Sequence, residues 1–300
     1  IGLIILIIVS SIIAPNFRSV NNLITIFRQA SVLLVLSSGL TAVLLTGGMD
    51  LSVGATAGFI GCVCAQLLKA GLPVPGVVVI GVLIGMVVGI INGLLAGILP
   101  SFIATYGTNW VMSGLAVIVM QGAVIYDLPA GFTQIGVGYT GPIPNLIIIA
   151  AVVVVIIYIL LQRTTYGRQV YSYGSNPTAA RYAAVPVKKI MVSAFMMCSM
   201  TAGLAGLLIT ARLNAADAAM GDSYGLQTVA AVVIGGTSML GGEGGVIGTV
   251  IGSLILTVIV NVMNLLGISS FAQGLVVGIV IIVMVLFDTY TKRRQEQSAA

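Results

Sequence analysis

Residues 147–161 read IIIAAVVVVIIYILL, an unbroken apolar run that ends just before Gln162 and Arg163. A strand of a membrane β-barrel would alternate apolar and polar side chains over about ten residues. This run shows no such alternation, and with its neighbours it approaches the roughly 20 mostly apolar residues that a helix needs to cross a bilayer. The stretch therefore predicts a transmembrane helix in an all-α integral membrane protein.

Composition extends this prediction to the whole chain. Of the 300 residues, 59% are hydrophobic and 6% are charged, whereas soluble domains have about 25% charged residues. The net charge of +5 could indicate nucleic acid, but the basic residues cluster at 163–189 and 292–294, beside apolar segments, as on cytoplasmic membrane flanks. We therefore predict membrane lipid as the surroundings and no nucleic-acid partner.

The chain has few of the residues that bind metals or act as nucleophiles. The chain has no His and three Cys, namely Cys62, Cys64 and Cys198. A zinc site or a base-activated nucleophile needs His or clustered Cys ligands. We predict no metal site, no cofactor and no catalytic residue.

Counting apolar segments between polar breaks predicts about ten transmembrane helices in one domain covering residues 1–300. The predicted spans are 1–14, 29–46, 52–69, 74–99, 107–123, 144–161, 190–210, 226–241, 246–264 and 271–288. Glycines at small-xxx-small spacing, such as Gly81/Gly85/Gly89/Gly93/Gly97 and Gly244/Gly248/Gly252, predict close helix packing.

Orientation follows from the Lys and Arg residues of short loops, which favour the cytoplasm. The loop from Arg163 to Lys189 holds five of them and the C-terminal tail three. Ten spans with both regions inside place the N- and C-termini in the cytoplasm. Two sets of five spans then run in opposite directions, as inverted repeats would.

The energy source is expected in another polypeptide. A phosphate-binding loop GxxxxGK[ST] is missing, since no Lys follows a Gly, and the run Gly235–Gly245 is interpreted as a tight turn between helices. Asp50 and Glu243 are expected in turns at the ends of spans, so no carboxylate is clearly placed at the membrane midplane for ion coupling. A self-contained, ion-coupled secondary transporter of a small polar solute remains the alternative.

The loop 162–190 contains a helix start at Asn176-Pro177, an N-cap residue followed by Pro at the first helical position. The short helix after it would be marginal alone, so we expect it to dock on a partner. A solvated membrane flank is the alternative.

Four motifs occur in order along the chain: 46–54 (TGGMDLSVG), 167–181 with GR and GSNPTAAR, 230–238 (AAVVIGGTS) and 261–266 (NVMNLL). Together they resemble the permease subunits of ribose-type ABC importers, a family that includes xylose, arabinose, galactose and autoinducer permeases. Thr178 and Ala184 stand where such permeases commonly have Glu and Gly, and Gln227-Thr228 replaces a commoner Asp-Ala.

The resemblance implies a bundle like that of type II ABC importers in the bacterial inner membrane, carrying a neutral, ribose-like monosaccharide inward. It also implies three protein partners: a cytoplasmic ATPase, a periplasmic or extracellular sugar-binding protein, and a second permease copy or homologue. The segment Asn176–Lys189 would couple to the ATPase. The residues expected in that coupling are Gly174, Asn176, Pro177, Ala179, Ala180, Arg181 and Lys188.

Two further groups of residues are candidates for transport roles. Amides are costly in hydrocarbon unless they meet a partner or water, so Asn92, Asn261, Asn264 and Gln273 are expected to face a wet passage or neighbouring helices. The external loop 211–225 carries Arg212, Asp217 and Asp222, a mixed charge pattern suited to steering a binding protein; a solvated loop is the alternative.

Overall fold

The computed structural model of the chain describes residues 2–269, 272–280 and 282–283, and this part is almost entirely helical. A 3₁₀ turn, Pro15–Arg18, follows the first helix. The helices are α1 (Gly2–Ile13), α2 (Val20–Leu45), α3 (Val53–Lys69), α4 (Val74–Ala96), α5 (Ser101–Met120), α6 (Ala130–Val137), α7 (Asn145–Arg163), α8 (Thr165–Ser175), α9 (Pro177–Tyr182), α10 (Val187–Leu213), α11 (Asp222–Ile234) and α12 (Val246–Leu265).

Six of the described helices are long and apolar enough to cross a membrane, which confirms an all-α membrane protein: α2, α4, α5, α7, α10 and α12. α1 and α3 are shorter apolar helices. Three predicted spans are wrong in their bounds. α2 begins at Val20 and not at 29, and α5 begins at Ser101 and not at 107. In place of the predicted 226–241, α11 begins at Asp222 and ends at Ile234, before the Gly235-Gly236 turn. The predicted span 271–288 lies partly outside the described residues, of which 272–280 and 282–283 are helical.

Two small antiparallel pairs of strands lie at one end of the bundle, a feature that the sequence analysis did not predict. β1 (Ile125–Tyr126) pairs with β4 (Ala215–Ala216), and β2 (Tyr139–Thr140) pairs with β3 (Ile143–Pro144). We call this end the hairpin end, and the opposite end, where the short helix α9 lies, the α9 end.

The long helix α10 lies at the centre and packs against α2, α3 and α4. The predicted glycine stripe of α4 faces it: Gly85 meets Ser199, and Gly93 meets Val192, so the two helices run antiparallel. A Cβ at either glycine would meet the α10 backbone. Because lipid supplies no hydrophobic drive, such close backbone contact is what holds membrane helices together.

Candidate functional site

Two helices of the core begin inside the bundle. α3 has 17 residues and α11 has 13, so they are about 25 Å and 20 Å long at 1.5 Å per residue. Each follows a long helix, α2 or α10, through a non-helical segment that turns inward. Such broken helices are tolerated in membranes where protein or water surrounds the irregular backbone.

The first break, residues 46–52, folds into the bundle from the α9 end. The backbone N–H groups of Met49 and Leu51 donate to hydroxyls of α5, Ser101 Oγ at 3.0 Å and Thr105 Oγ1 at 3.1 Å. The expected turn at the end of a span is therefore present, but it points inward and Asp50 is fully buried.

A chain of hydrogen bonds links Asp50 to two further helices. Asp50 Oδ1 accepts from the backbone N–H and the hydroxyl of Ser52, at 2.9 and 2.6 Å. Asn92 Nδ2 donates to Ser52 Oγ at 2.9 Å, and Thr108 Oγ1 donates to Asn92 Oδ1 at 2.7 Å. Asn92, predicted for the passage, thus lies fully buried in a network that joins α3, α4 and α5.

The second break, residues 214–221 between α10 and α11, lies along α3. Cys62 Sγ donates to the backbone carbonyl of Asp217 at 3.4 Å. Further along the segment, Gly221 packs on Gly54 and Gly58, and a Cβ at Gly54 would collide with the backbone of Gly221. The first turns of the two broken helices α3 and α11 therefore meet backbone to backbone.

The register along α3 gives the depth of this meeting point. Lys69, the last residue of α3, donates from Nζ to the carbonyl of Asp127 at the hairpin end, at 2.8 Å. Gly54 lies 15 residues earlier, about 22 Å along the axis, well inside a hydrocarbon core about 30 Å thick. Asp222 begins α11 beside this point, and its side chain is exposed in the single chain.

The structure therefore places the residues predicted for docking differently from the sequence analysis. Asp217 and Asp222 belong to a segment that re-enters the bundle and not to a loop that projects outward. Arg212 lies in the last turn of α10 and donates to the hydroxyl of Tyr224 at 3.4 Å. Docking of a binding protein by these three residues stays a prediction.

A polar cavity of about 360 Å³ lies between α2, α10, α11, α12 and the residues after 272. This volume is in the range of small-molecule sites, about 300–1,000 Å³. Among the described residues that line it, Arg212 is the one charged side chain. The lining residues are Gln29, Leu33, Arg212, Ser223, Tyr224, Gln227, Leu256, Thr257, Val260, Gln273, Gly274 and Val277.

Amide side chains contribute to the lining of the cavity. The buried oxygen Oε1 of Gln29 accepts no hydrogen bond from any described residue. Gln273, predicted for the passage, lines the cavity and donates from Nε2 to Asn264 Oδ1 at 2.7 Å. Amides and hydroxyls of this kind can bind a neutral polar solute without a countercharge.

The fourth amide predicted for the passage, Asn261, pairs with Asn22 across α12 and α2. Each amide donates to the other's oxygen, at 2.9 and 3.0 Å, and Asn261 is 3% exposed. A reciprocal amide pair satisfies both side chains inside the bundle. The structure thus brings Gln273 to the cavity, with Asn264 as its hydrogen-bond acceptor outside the lining, and places Asn92 and Asn261 in contacts between helices.

The predicted helix start at Asn176 is confirmed. Asn176 Oδ1 accepts from the backbone N–H of Ala179 at 2.9 Å, and Pro177 is the first residue of α9. Ala180 is buried, whereas Arg181 and Lys188 are exposed. Beneath α9, a Cβ at Gly174 would collide with the backbone of α2 and of the glycine-rich turn.

That glycine-rich turn is anchored at the α9 end, as the sequence predicted. Gly242 N–H donates to the carbonyl of Leu45 at 2.9 Å. Tyr171 donates its hydroxyl to the carbonyl of Gly244 at 2.8 Å and accepts from Gln162 at 2.6 Å. Burial raises the pKa of Tyr171, so the phenol keeps the proton that it donates.

Sequence reasoning missed three residues of these sites. Gln29 and Tyr224 line the cavity, and neither belongs to a motif that marks it. Tyr182 ends α9 with 88% of its surface exposed. Gln227 was noted only as a departure from the family pattern, and the structure shows that it lines the cavity.

Comparison with known proteins gives the family. Residues 22–285 match the family described as branched-chain amino acid transport system / permease component. The chain is similar to the ribose import permease protein RbsC of Haemophilus influenzae, with 40% identity over 97% of this chain and 92% of that one. It is also similar to RbsC of Bacillus subtilis, at 40% over 96% and 90%.

A permease with another sugar in its name is similar too: the D-allose transport system permease protein AlsC of Escherichia coli, at 35% identity over 95% of this chain and 88% of that one. No solved structure matches the chain. With matches over nearly the full length, the chain belongs to this family of multi-pass inner-membrane permease subunits of ABC importers.

Proposed function

We propose that this permease passes a neutral monosaccharide of the ribose type through the cavity between α2, α11 and α12. The observation that carries the proposal is the position of Asp222 and Gln227 at the start of α11. An ionisable group at this depth is expected to face a water-filled space or a protein partner, since exposure to hydrocarbon is costly. The polar lining of the cavity, which begins beside Asp222, would extend this water-filled space.

The choice of a neutral solute rests on the charges of the lining. An amino acid zwitterion would need an anionic and a cationic group side by side in the cavity. Among the described residues that line it only Arg212 is charged, because Asp222 lies beside the cavity and is not part of its lining. A sugar requires amides and hydroxyls, which the lining supplies. The names of the ribose and D-allose permeases agree with this choice.

In this proposal, partner proteins hydrolyse ATP and deliver the sugar. The exposed residues of α9, including Arg181 and Tyr182, form the surface that couples to a cytoplasmic ATPase. Aromatic and Arg side chains are the usual anchors of protein interfaces. A sugar-binding protein delivers the solute at the hairpin end, and a second permease copy completes the passage beside the exposed Asp222.

In this arrangement ten spans in one domain cross the membrane, with both termini and the α9 end in the cytoplasm. The opposite directions of the two broken helices, α3 toward the hairpin end and α11 toward the α9 end, support two inverted halves. All three native cysteines are buried, so introduced cysteines can report the orientation. Ser175→Cys should be shielded from an impermeant thiol reagent in intact cells, and Ala130→Cys should be labelled.

The test of the proposed function is uptake by proteoliposomes that contain the permease with its ATPase and binding protein. The panel contains neutral pentoses and hexoses, branched-chain amino acids and organic anions. We expect ATP-dependent uptake of a pentose or hexose only. ATP-dependent uptake of an amino acid would reject the neutral-solute proposal, and uptake driven by an ion gradient without ATP would favour the secondary transporter.

A further inference from the structure

A second cavity, of about 440 Å³, lies on the outer face of the bundle between α7 and α10. Its walls are apolar apart from Tyr166, Ser193 and Thr201. The lining residues are Val153, Ile156, Ile157, Leu160, Tyr166, Ser193, Met196, Met197, Met200, Thr201 and Leu204. Three of them are Met, whose flexible side chains adapt to irregular apolar ligands.

The length of this groove corresponds to one leaflet of the membrane. From Ser193 to Leu204 it follows α10 for 11 residues, about 16 Å at 1.5 Å per residue. Half of a hydrocarbon core is about 15 Å. At the α9 end of the groove, Ser193 donates to the hydroxyl of Tyr166 at 3.2 Å, which places the polar boundary of the groove there.

Two basic residues flank that polar boundary. Lys189 lies one turn before Ser193 on α10, and Arg163 ends α7 three residues after Leu160. Both are exposed, and no described acidic residue pairs with either. The groove is therefore apolar along its length and positively charged at its mouth.

From this arrangement we infer that the groove binds an anionic phospholipid. One acyl chain lies against Met196, Met197 and Met200, and the phosphate lies between Arg163 and Lys189. Basic pockets between membrane helices on the cytoplasmic side of a membrane, where the proposed function places the α9 end, bind such headgroups. A second copy whose two-fold axis passed through this mouth would bring its own Arg163 and Lys189 there, and four like charges would repel one another.

The experiment measures binding of the first lipid to the full chain, purified in its native assembly, by native mass spectrometry. The two probes are phosphatidylglycerol and phosphatidylcholine with identical acyl chains. A Lys or Arg near an anionic headgroup favours binding about fivefold. We therefore expect phosphatidylglycerol to bind about thirtyfold more tightly than phosphatidylcholine, and the variant Arg163→Gln/Lys189→Gln to lose this preference.

Two matched pairs of variants separate the charge from the groove. Met200→Trp fills the groove and should weaken binding of both lipids, whereas Val155→Trp, on the exposed face of α7 outside the groove, should weaken neither. Arg18→Gln removes a basic residue at the opposite end and should leave the preference unchanged.

Equal affinity of the native chain for the two lipids would overturn the inference, and so would an unchanged preference in the double Gln variant. If Met200→Trp had no effect on either lipid, the acyl chain would have no place in the groove. Loss of the second copy or of the ATPase from the double Gln variant, with lipid binding unaltered, would assign the mouth to a protein interface instead.

Discussion

Adding one methyl group at Gly54 tests the backbone contact between the two broken helices. A Cβ there would lie 2.5 Å from the carbonyl oxygen of Gly221 and 2.7 Å from the nitrogen of Gly225. Both neighbours are backbone atoms, so no side chain can rotate out of the way. Overpacking of this kind costs about 1–3 kcal/mol.

Gly107→Ala on α5 is the matched control. It makes the same chemical change in a helix, and a Cβ at Gly107 meets no atom within 4 Å. The gain in helix propensity from Gly to Ala is about 1 kcal/mol in a helix interior, so it applies at Gly107 and is smaller at Gly54, in the first turn of α3. Gly54→Ala should therefore be less stable than Gly107→Ala by at least the overpacking cost of about 1–3 kcal/mol.

The assays are thermal unfolding in detergent and solute uptake by the reconstituted transporter. We expect a lower midpoint and reduced uptake for Gly54→Ala, and a midpoint at or above the native one with normal uptake for Gly107→Ala. If the two variants have the same unfolding midpoint and the same uptake, the backbones of α3 and α11 are not in the close contact that the structure shows at Gly54 and Gly221.

Three other substitutions test the sites. Gln227→Leu should reduce the initial rate of sugar uptake without lowering the unfolding midpoint, because it removes a hydrogen-bonding group from the cavity; unchanged uptake would move the passage elsewhere. Asn261→Leu leaves Asn22 Oδ1 without its donor, while Asn22 Nδ2 keeps its bond to the carbonyl of Phe17. This variant should destabilise the chain by about 1–3 kcal/mol, whereas Asn22→Leu/Asn261→Leu should recover part of that loss in thermal unfolding. Arg181→Glu should weaken recovery of the ATPase or uncouple ATP hydrolysis from uptake, through repulsion at the interface; normal co-purification and uptake would reduce α9 to a membrane flank.

The helical class and the ends of most long helices could be predicted from the sequence because they depend on local hydrophobicity. α10 was predicted at 190–210 and is Val187–Leu213, and α4 was predicted at 74–99 and is Val74–Ala96. The start of α9 was predicted from one side chain, Asn176, that bonds its own helix three residues on. Each of these features is decided within one segment.

The re-entry of the two breaks could not be predicted in the same way. The stretch 214–221, small residues with Asn214 and Asp217 among them, resembles a surface loop. It turns inward because Gly54 and Gly58 of α3 leave room for it. Hydropathy measures the tendency of a segment to be buried away from water. It does not show which other segment packs against its backbone. The cavity was missed in part for the same reason, since Gln29 and Gln227 become neighbours only through the packing of α2 against α11.

The contact beneath α9 constrains how this permease can change over evolutionary time. Gly174 meets the end of α2 and the glycine-rich turn through backbone atoms, so a larger residue there would separate three segments at once. The exposed side of α9 carries no such limit, and Tyr182 and Arg181 can be exchanged without disturbing the fold. Under the proposed coupling, surface substitutions on α9 would therefore suit the permease to a different ATPase, while the contact of Gly174 with α2 and the glycine-rich turn stays fixed.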